Sequence, residues 1–229
     1  MVVMVSQEKI AILTLGIKKK KELQHIDDHF VTEYIHNYLQ QELKVAKALQ
    51  QNFNPKSKVY VSLIKKIRSQ LRRVYGLFRD NPKERKGLVK ELLSSPKEKR
   101  EKRTSLIKQI LSTHSSTQER LPSYEKPYKK IFSITRKPKS ILDLGCGINP
   151  FSVPYMKLKE CTYYAYDVNE EEVESINKYF QLLHKENHSF SGKAIVADII
   201  NINLPKADLC FLLKMTDVVD KGKGHKRTE

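Results

Sequence analysis

Along the first 139 residues apolar side chains recur at steps of three and four, and at Ser140 the pattern switches to short, nearly unbroken apolar runs. From Val61 onward, Ile64, Ile67, Leu71, Val74 and Phe78 share one face of a helix about five turns long. Lys65, Arg68, Arg72 and Arg79 follow one residue behind, which sets a basic stripe about 100° around the helix from that face. Upstream, Ile26, Phe30, Tyr34 and Leu39 predict a second amphipathic helix, and 52–58 is a polar, proline-containing connection. Asn81-Pro82-Lys83-Glu84 and Ser95-Pro96-Lys97-Glu98 each offer a polar cap, a proline in the first turn and a glutamate able to reach back to the cap amide. A helix is expected to begin at each.

After Ser140 the pattern is that of strands. Residues 140–144 (Ser-Ile-Leu-Asp-Leu) form a buried strand that enters a tight turn at Gly145-Cys146-Gly147. Further strands are predicted at 162–168, 193–197 and 207–213; Asp167 stands near the end of the second, Asp198 just after the third, Lys214 and Asp217 after the fourth. Between the second and third, Val173, Ile176, Tyr179, Phe180 and Leu183 mark a crossover helix over 170–184. Polar residues at the ends of successive strands describe an open α/β sheet with its ligand crevice along that edge.

Charge divides at the same place. Residues 1–139 hold 32 Lys+Arg against 13 Asp+Glu, a net +19, while 140–229 hold 11 against 13, a net −2. A basic lobe beside a near-neutral one suggests one part that meets a polyanion and another that binds something small; a solubilising surface is the plainer reading of any single run such as Lys18 to Lys21. Three scattered cysteines, Cys146, Cys161 and Cys210, are an odd set without CxxC spacing, which argues against a disulfide scaffold or a zinc site and for a reducing, cytoplasmic setting. The apolar stretch 11–17 is too short for a membrane span, and the lysines that follow it are in the wrong order for a secretory signal. No H-E-x-x-H or comparable histidine grouping occurs, so His114, His184, His188 and the N-terminal histidines are expected at the surface, and no metal is expected. Cys146 reads as a small residue in a crowded turn rather than a nucleophile.

The glycines decide the ligand. A dinucleotide-binding turn wants a third glycine, but Pro150 stands there and removes an amide donor. Asp143, ahead of the turn, would repel a pyrophosphate and welcome an α-ammonium group, unless it merely caps the turn. Asp167, 20 residues after Gly147, is placed to accept ribose hydroxyls. D-x-G-x-G with such an aspartate is the pattern of S-adenosylmethionine binding, preferred here to NAD.

With these residues the chain resembles the aminoglycoside-resistance type 16S ribosomal RNA methyltransferases that modify N7 of a guanine in the decoding site. Three stretches carry the resemblance: His114-Ser115-Ser116-Thr117-Gln118-Glu119-Arg120-Leu121, ILDLGCGINPFSVP from Ile141, and ADLCFLLKM from Ala207. It implies a basic all-helical RNA-binding domain over 1–113, then a Rossmann-like class I methyltransferase domain over 114–229. Since that fold has seven strands, it also implies that the catalytic domain is C-terminally incomplete here. It implies that Glu119 and the turn at Gly145 and Gly147 lie at the cofactor, that Asp167 holds the ribose and that Asp198 lies by the adenine; Asp143 and Lys214, read from their places at strand ends, complete the expected cofactor set. Read without the family, Ser116 to Glu119 is also a plain capping box, and Arg120 pairs with Glu119.

The expected reaction is methyl transfer from S-adenosylmethionine to guanine N7 of small-subunit rRNA, driven by alignment without a general base. Lys65, Lys66, Arg68, Arg72, Arg73 and Arg79 are expected to grip phosphates, and a monomer is favoured. Two other readings stand beside it: another RNA, protein or small-molecule acceptor for the same cofactor, and an inactive RNA-binding module.

Overall fold

The computed structural model describes residues 5–75, 82–199 and 202–213. Its contacts divide the chain into two units, Met1–Leu77 with Val168–Glu170, and Phe78–Asp167 with Glu171–Glu229. The boundary read from the sequence, at residue 114, falls inside the second unit.

In the first unit α1 (Gln7–Lys18), α2 (Asp28–Gln41), α3 (Leu43–Gln51) and α4 (Lys58–Tyr75) enclose one apolar core. Asp27 starts α2 by accepting the Phe30 amide at 2.9 Å. The three-and-four spacing of α4 buries Ile64, Ile67 and Leu71 as expected, together with Leu63, against Leu13, Ile17, Ile35 and Leu49. Burial of each such side chain contributes about 1.5–3 kcal/mol. Val61 does not join them and is 40% exposed, because Tyr60 takes the inward position and the next residue turns about 100° away. The Val74 side chain and Phe78 lie outside the described residues.

The second unit opens with α5 (Pro82–Ser94) and α6 (Arg100–Ser112), followed by the single turn α7 (Ser115–Gln118) and α8 (Glu125–Thr135). The cap expected at Ser95-Pro96 does not start a helix. Lys99 bonds back to the Pro96 carbonyl at 3.2 Å, so the segment is a turn and α6 begins at Arg100; the Ser95 hydroxyl is buried without a partner.

Strands β1 (Ser140–Leu144), β2 (Cys161–Asp167), β3 (Phe190–Val196) and β4 (Leu209–Phe211) then form a parallel sheet in the order β3-β2-β1-β4. The short α9 (Val153–Met156) lies between β1 and β2, and α10 (Glu170–Glu186) is the predicted crossover from β2 to β3. Val173, Ile176, Tyr179 and Phe180 of α10 share a core with Ile141, Tyr163, Ala165 and Ala194 of the sheet, and with Leu92, Ile107 and Ile110 of α5 and α6. Leu142, Leu144 and Tyr166 make a smaller cluster from alternate strand positions, on the opposite face.

An ion pair locks α5 to α10. Arg85 Nη2 lies 2.7 Å from Glu172 Oε1, the two side chains being 6% and 7% exposed, and Arg85 Nη1 donates to the Thr113 carbonyl at 3.2 Å and hydroxyl at 3.1 Å. The guanidinium thereby seats the residue that precedes His114. Among the described residues no helix is long and apolar enough to cross a membrane.

Candidate functional site

Parallel pairing sets the carboxyl ends of β1, β2 and β3 along one edge, with Leu144 opposite Tyr166 and Asp167 opposite Val196. The chain leaves β1 through Gly145 (φ 63°) and Gly147 (φ 47°), both in the left-handed region that favours glycine. Between them the Cys146 amide still reaches the Tyr166 carbonyl at 2.9 Å. A Cβ on Gly147 would stand 3.4 Å from His114 Nε2. The turn then closes into a single 3₁₀ turn, Asn149–Ser152, with Pro150 in its first positions.

Asp167 is bonded to this turn, its Oδ2 accepting the Gly147 amide at 2.9 Å. Asp198, half-buried, follows two residues after Val196, the β3 partner of Asp167. Asp143 differs from both. Its carboxyl is 1% exposed, and its Oδ2 accepts from Asn149 Nδ2 at 2.9 Å and from the Tyr163 hydroxyl at 2.7 Å. Burial pushes its pKa up to about 6, against the opposing pull of those two donors. The acid read as the ammonium's partner is therefore inside the protein, behind the turn.

His114, expected at the surface, is buried, with Nδ1 3.0 Å from the Ser116 hydroxyl. The capping-box reading of Ser116 to Glu119 also changes: α7 ends at Gln118, and the Thr117 hydroxyl donates back to the Leu111 and His114 carbonyls, so the exposed Glu119 follows the helix rather than starting one. Arg120, read from sequence as the partner of Glu119, was not assigned to the cofactor. It reaches the glycine turn: Nη2 lies 3.5 Å from Asn149 Oδ1, its guanidinium carbon lies 5.8 Å from the Tyr124 ring centroid, and Nε is buried without a partner. The signal available in sequence was its place in the His114 motif; the loop that brings it to Asn149 is a tertiary matter.

Of the residues expected to grip phosphates, Lys65 and Lys66 on α4 are exposed. Arg68 instead donates from Nε to the Ile17 carbonyl at 3.2 Å and from Nη2 to the Gly16 carbonyl at 2.6 Å, closing the end of α1; burial and the neighbouring Arg72 lower its pKa. Arg72 donates twice to Glu22 Oε1, at 2.9 and 2.6 Å. The Arg73 side chain, Arg79, Lys214 and Asp217 lie outside the described residues. Burial raises the Cys146 thiol well above its usual value, which suits a packing role rather than a nucleophile. Among the described residues no group of three His, Cys, Asp or Glu side chains could hold a metal ion.

The parallel sheet, the glycine turn and the helical lead-in define a class I methyltransferase fold, and solved structures agree. The 16S rRNA methylase RmtB superposes with a TM-score of 0.63 at 18% identity, covering 88% of this chain and 70% of that one. RmtF, solved in complex with S-adenosyl-L-homocysteine, gives 0.67 at 20% identity, covering 96% and 75%. The chain belongs to the ribosomal RNA methyltransferase (FmrO) family, whose model matches residues 45–227. A 16S rRNA (guanine(1405)-N(7))-methyltransferase of Proteus mirabilis is 29% identical over 104 residues, 43% of this chain and 35% of that protein. The Micromonospora rosea enzyme of the same name is 30% identical over 97 residues, 42% and 34% respectively. The chain thus matches about a third of the length of these curated relatives.

Proposed function

We propose that the protein is an S-adenosylmethionine-dependent methyltransferase acting on guanine N7 of small-subunit rRNA. The observation that carries this is the Gly147 to Asp167 hydrogen bond, which joins a left-handed glycine turn to a carboxylate at the adjoining strand tip. Similarity to proteins named for that reaction supports it, and so does the donor set. Arg120 Nε is a buried donor in want of an acceptor, which a ligand carboxylate supplies.

When bound, the sulfonium cofactor supplies an electrophilic methyl carbon. Asp167 would accept the ribose hydroxyls, Gly145 and Gly147 would let backbone approach the nucleoside, and Asp198 and Arg120 would hold the adenine and carboxylate ends. Glu119, by resemblance, and Lys214, by its place after the fourth strand, complete the set, and Asp143 supports the turn from behind. Guanine N7 carries its own lone pair, so no side chain need remove a proton; alignment and electrostatics are the protein's contribution. Lys65 and Lys66 meet RNA phosphates, and Arg73 and Arg79 are read as further phosphate contacts from the sequence, while Arg68 and Arg72 support the helical unit that presents the lysines. A partner in the small subunit, together with thiols that are free at Cys146, Cys161 and Cys210, suits a cytoplasmic setting; aminoglycoside resistance is the consequence the family resemblance suggests.

Radiolabelled cofactor offered with intact small subunits, free rRNA and ribosomal protein tests this. Label recovered as N7-methylguanine from small-subunit RNA is the expected result. Label in protein alone, or RNA binding without transfer, would overturn it in favour of another acceptor or an inactive RNA-binding module.

A further inference from the structure

Asn149 follows the glycine turn, is 1% exposed, and has no task in the reaction just described. Its amide is nevertheless held in one orientation. A carboxylate only accepts, so Asp143 Oδ2, 2.9 Å away, requires the Nδ2 side of the amide. Tyr163 holds that same oxygen from β2 at 2.7 Å. The carbonyl side must then face the other way, where Arg120 Nη2 lies at 3.5 Å, with the Tyr128 hydroxyl at 3.4 Å and the Ser152 hydroxyl at 3.5 Å.

We propose that Asp143 and Asn149 are positioning residues that orient Arg120 for the carboxylate of the cofactor's amino-acid end while leaving its charge unneutralised. The proposal rests on the cofactor reading above. A carboxylate in direct contact with Arg120 would form a strong charge-assisted pair and cancel the charge the ligand needs. The interposed amide passes on direction without passing on charge. At 3.5 Å the Arg120 contact is long for a hydrogen bond, so the guanidinium is oriented yet shifts readily toward a ligand. The Tyr124 ring, 5.8 Å from the guanidinium carbon, offers its face to the same group, and the unpartnered Nε is the donor the ligand satisfies. The Asn149-Pro150 step after the glycines thereby acquires a physical reason: the asparagine orients and the proline shapes the turn.

Calorimetry with two probes tests this: S-adenosylhomocysteine, which has the amino-acid end, and 5′-methylthioadenosine, which lacks it. Asn149→Ala is expected to weaken the first about tenfold and to leave the second within about twofold. Arg120→Ala should discriminate the probes in the same way, and the double variant should be no weaker than Arg120→Ala alone. Equal weakening of both probes, or losses that multiply in the double variant, would overturn the proposal and leave the cofactor reading intact. An unsubstituted chain that binds neither probe sinks the cofactor reading and the proposal with it. Should Asn149→Ala fail to fold by circular dichroism, Asp143→Asn, which keeps the size but frees the amide to flip, carries the same comparison.

Discussion

The Gly147 amide donates to Asp167 Oδ2 at 2.9 Å, so the turn after β1 and the tip of β2 form a single ledge. The aspartate has one oxygen turned to the protein's own backbone, and its side chain is held in a fixed rotamer before any ligand arrives. Preorganisation of this kind reduces the ordering needed on binding.

Replacing Asp167 should therefore act twice, by releasing the turn and by removing an acceptor from the ribose. Asp167→Ala is expected to weaken S-adenosylhomocysteine about a hundredfold, and Asp167→Asn by less, since an amide oxygen still accepts the Gly147 amide. Calorimetry checks the order; equal affinity in all three chains would remove Asp167 from the site.

Asp143 predicts a pH dependence of stability. Its folded pKa, raised from 3.8 to about 6 by burial, means that the folded chain holds a proton the unfolded chain releases. The resulting relative stabilisation is full below the unfolded value and is lost as pH rises through about 6, a difference on the order of 3 kcal/mol. The melting temperature of the unsubstituted protein should accordingly rise relative to Asp143→Asn as pH is lowered from about 7 to about 4.5. A constant difference across that range would contradict the assignment.

The Arg85–Glu172 pair predicts a large stability effect far from any ligand. Glu172→Ala leaves a buried guanidinium without its carboxylate and is expected to cost about 3–5 kcal/mol. Arg85→Met with Glu172→Leu removes both charges and should recover much of that loss. Urea unfolding followed by circular dichroism measures both; an effect under about 1 kcal/mol from the single substitution would place the pair in solvent.

The stripe on α4 predicts a division between contact and support. Lys65→Ala with Lys66→Ala should weaken rRNA binding and flatten its salt dependence by about two ion equivalents. Arg68→Ala, which uncovers the Gly16 and Ile17 carbonyls, should lower the stability of the helical unit with little change in the salt slope. Filter binding across salt concentrations, with a thermal melt of each variant, separates the two; an unchanged slope for the lysine pair would remove them from the interface.

Local pattern reached far into this fold. The period of α4, the crossover helix α10 and the four strands follow from apolar spacing alone, because a helix or strand must bury one face and that face repeats in sequence. The glycine turn was equally legible, since positive φ at two positions leaves few other residues. The start of α6 was not: Ser95-Pro96 carries the chemistry of a cap, but the segment closes as a turn and the hydroxyl is buried instead.

Sequence by itself determined α4, α10, the four strands with their parallel rim, and the type of residue at each strand tip, whereas α1, α3 and α8 were not read from it. Only tertiary structure decided what each charged side chain faces: Arg68 turns to the carbonyls of α1, Asp143 to Asn149 and Tyr163, and Arg120 toward the glycine turn. The physical reason is range. Periodicity is a property of neighbours along the chain, whereas Arg68 meets the Gly16 carbonyl 52 residues away, Arg120 meets Asn149 29 away and Asp143 meets Tyr163 20 away, contacts that form only when the core closes.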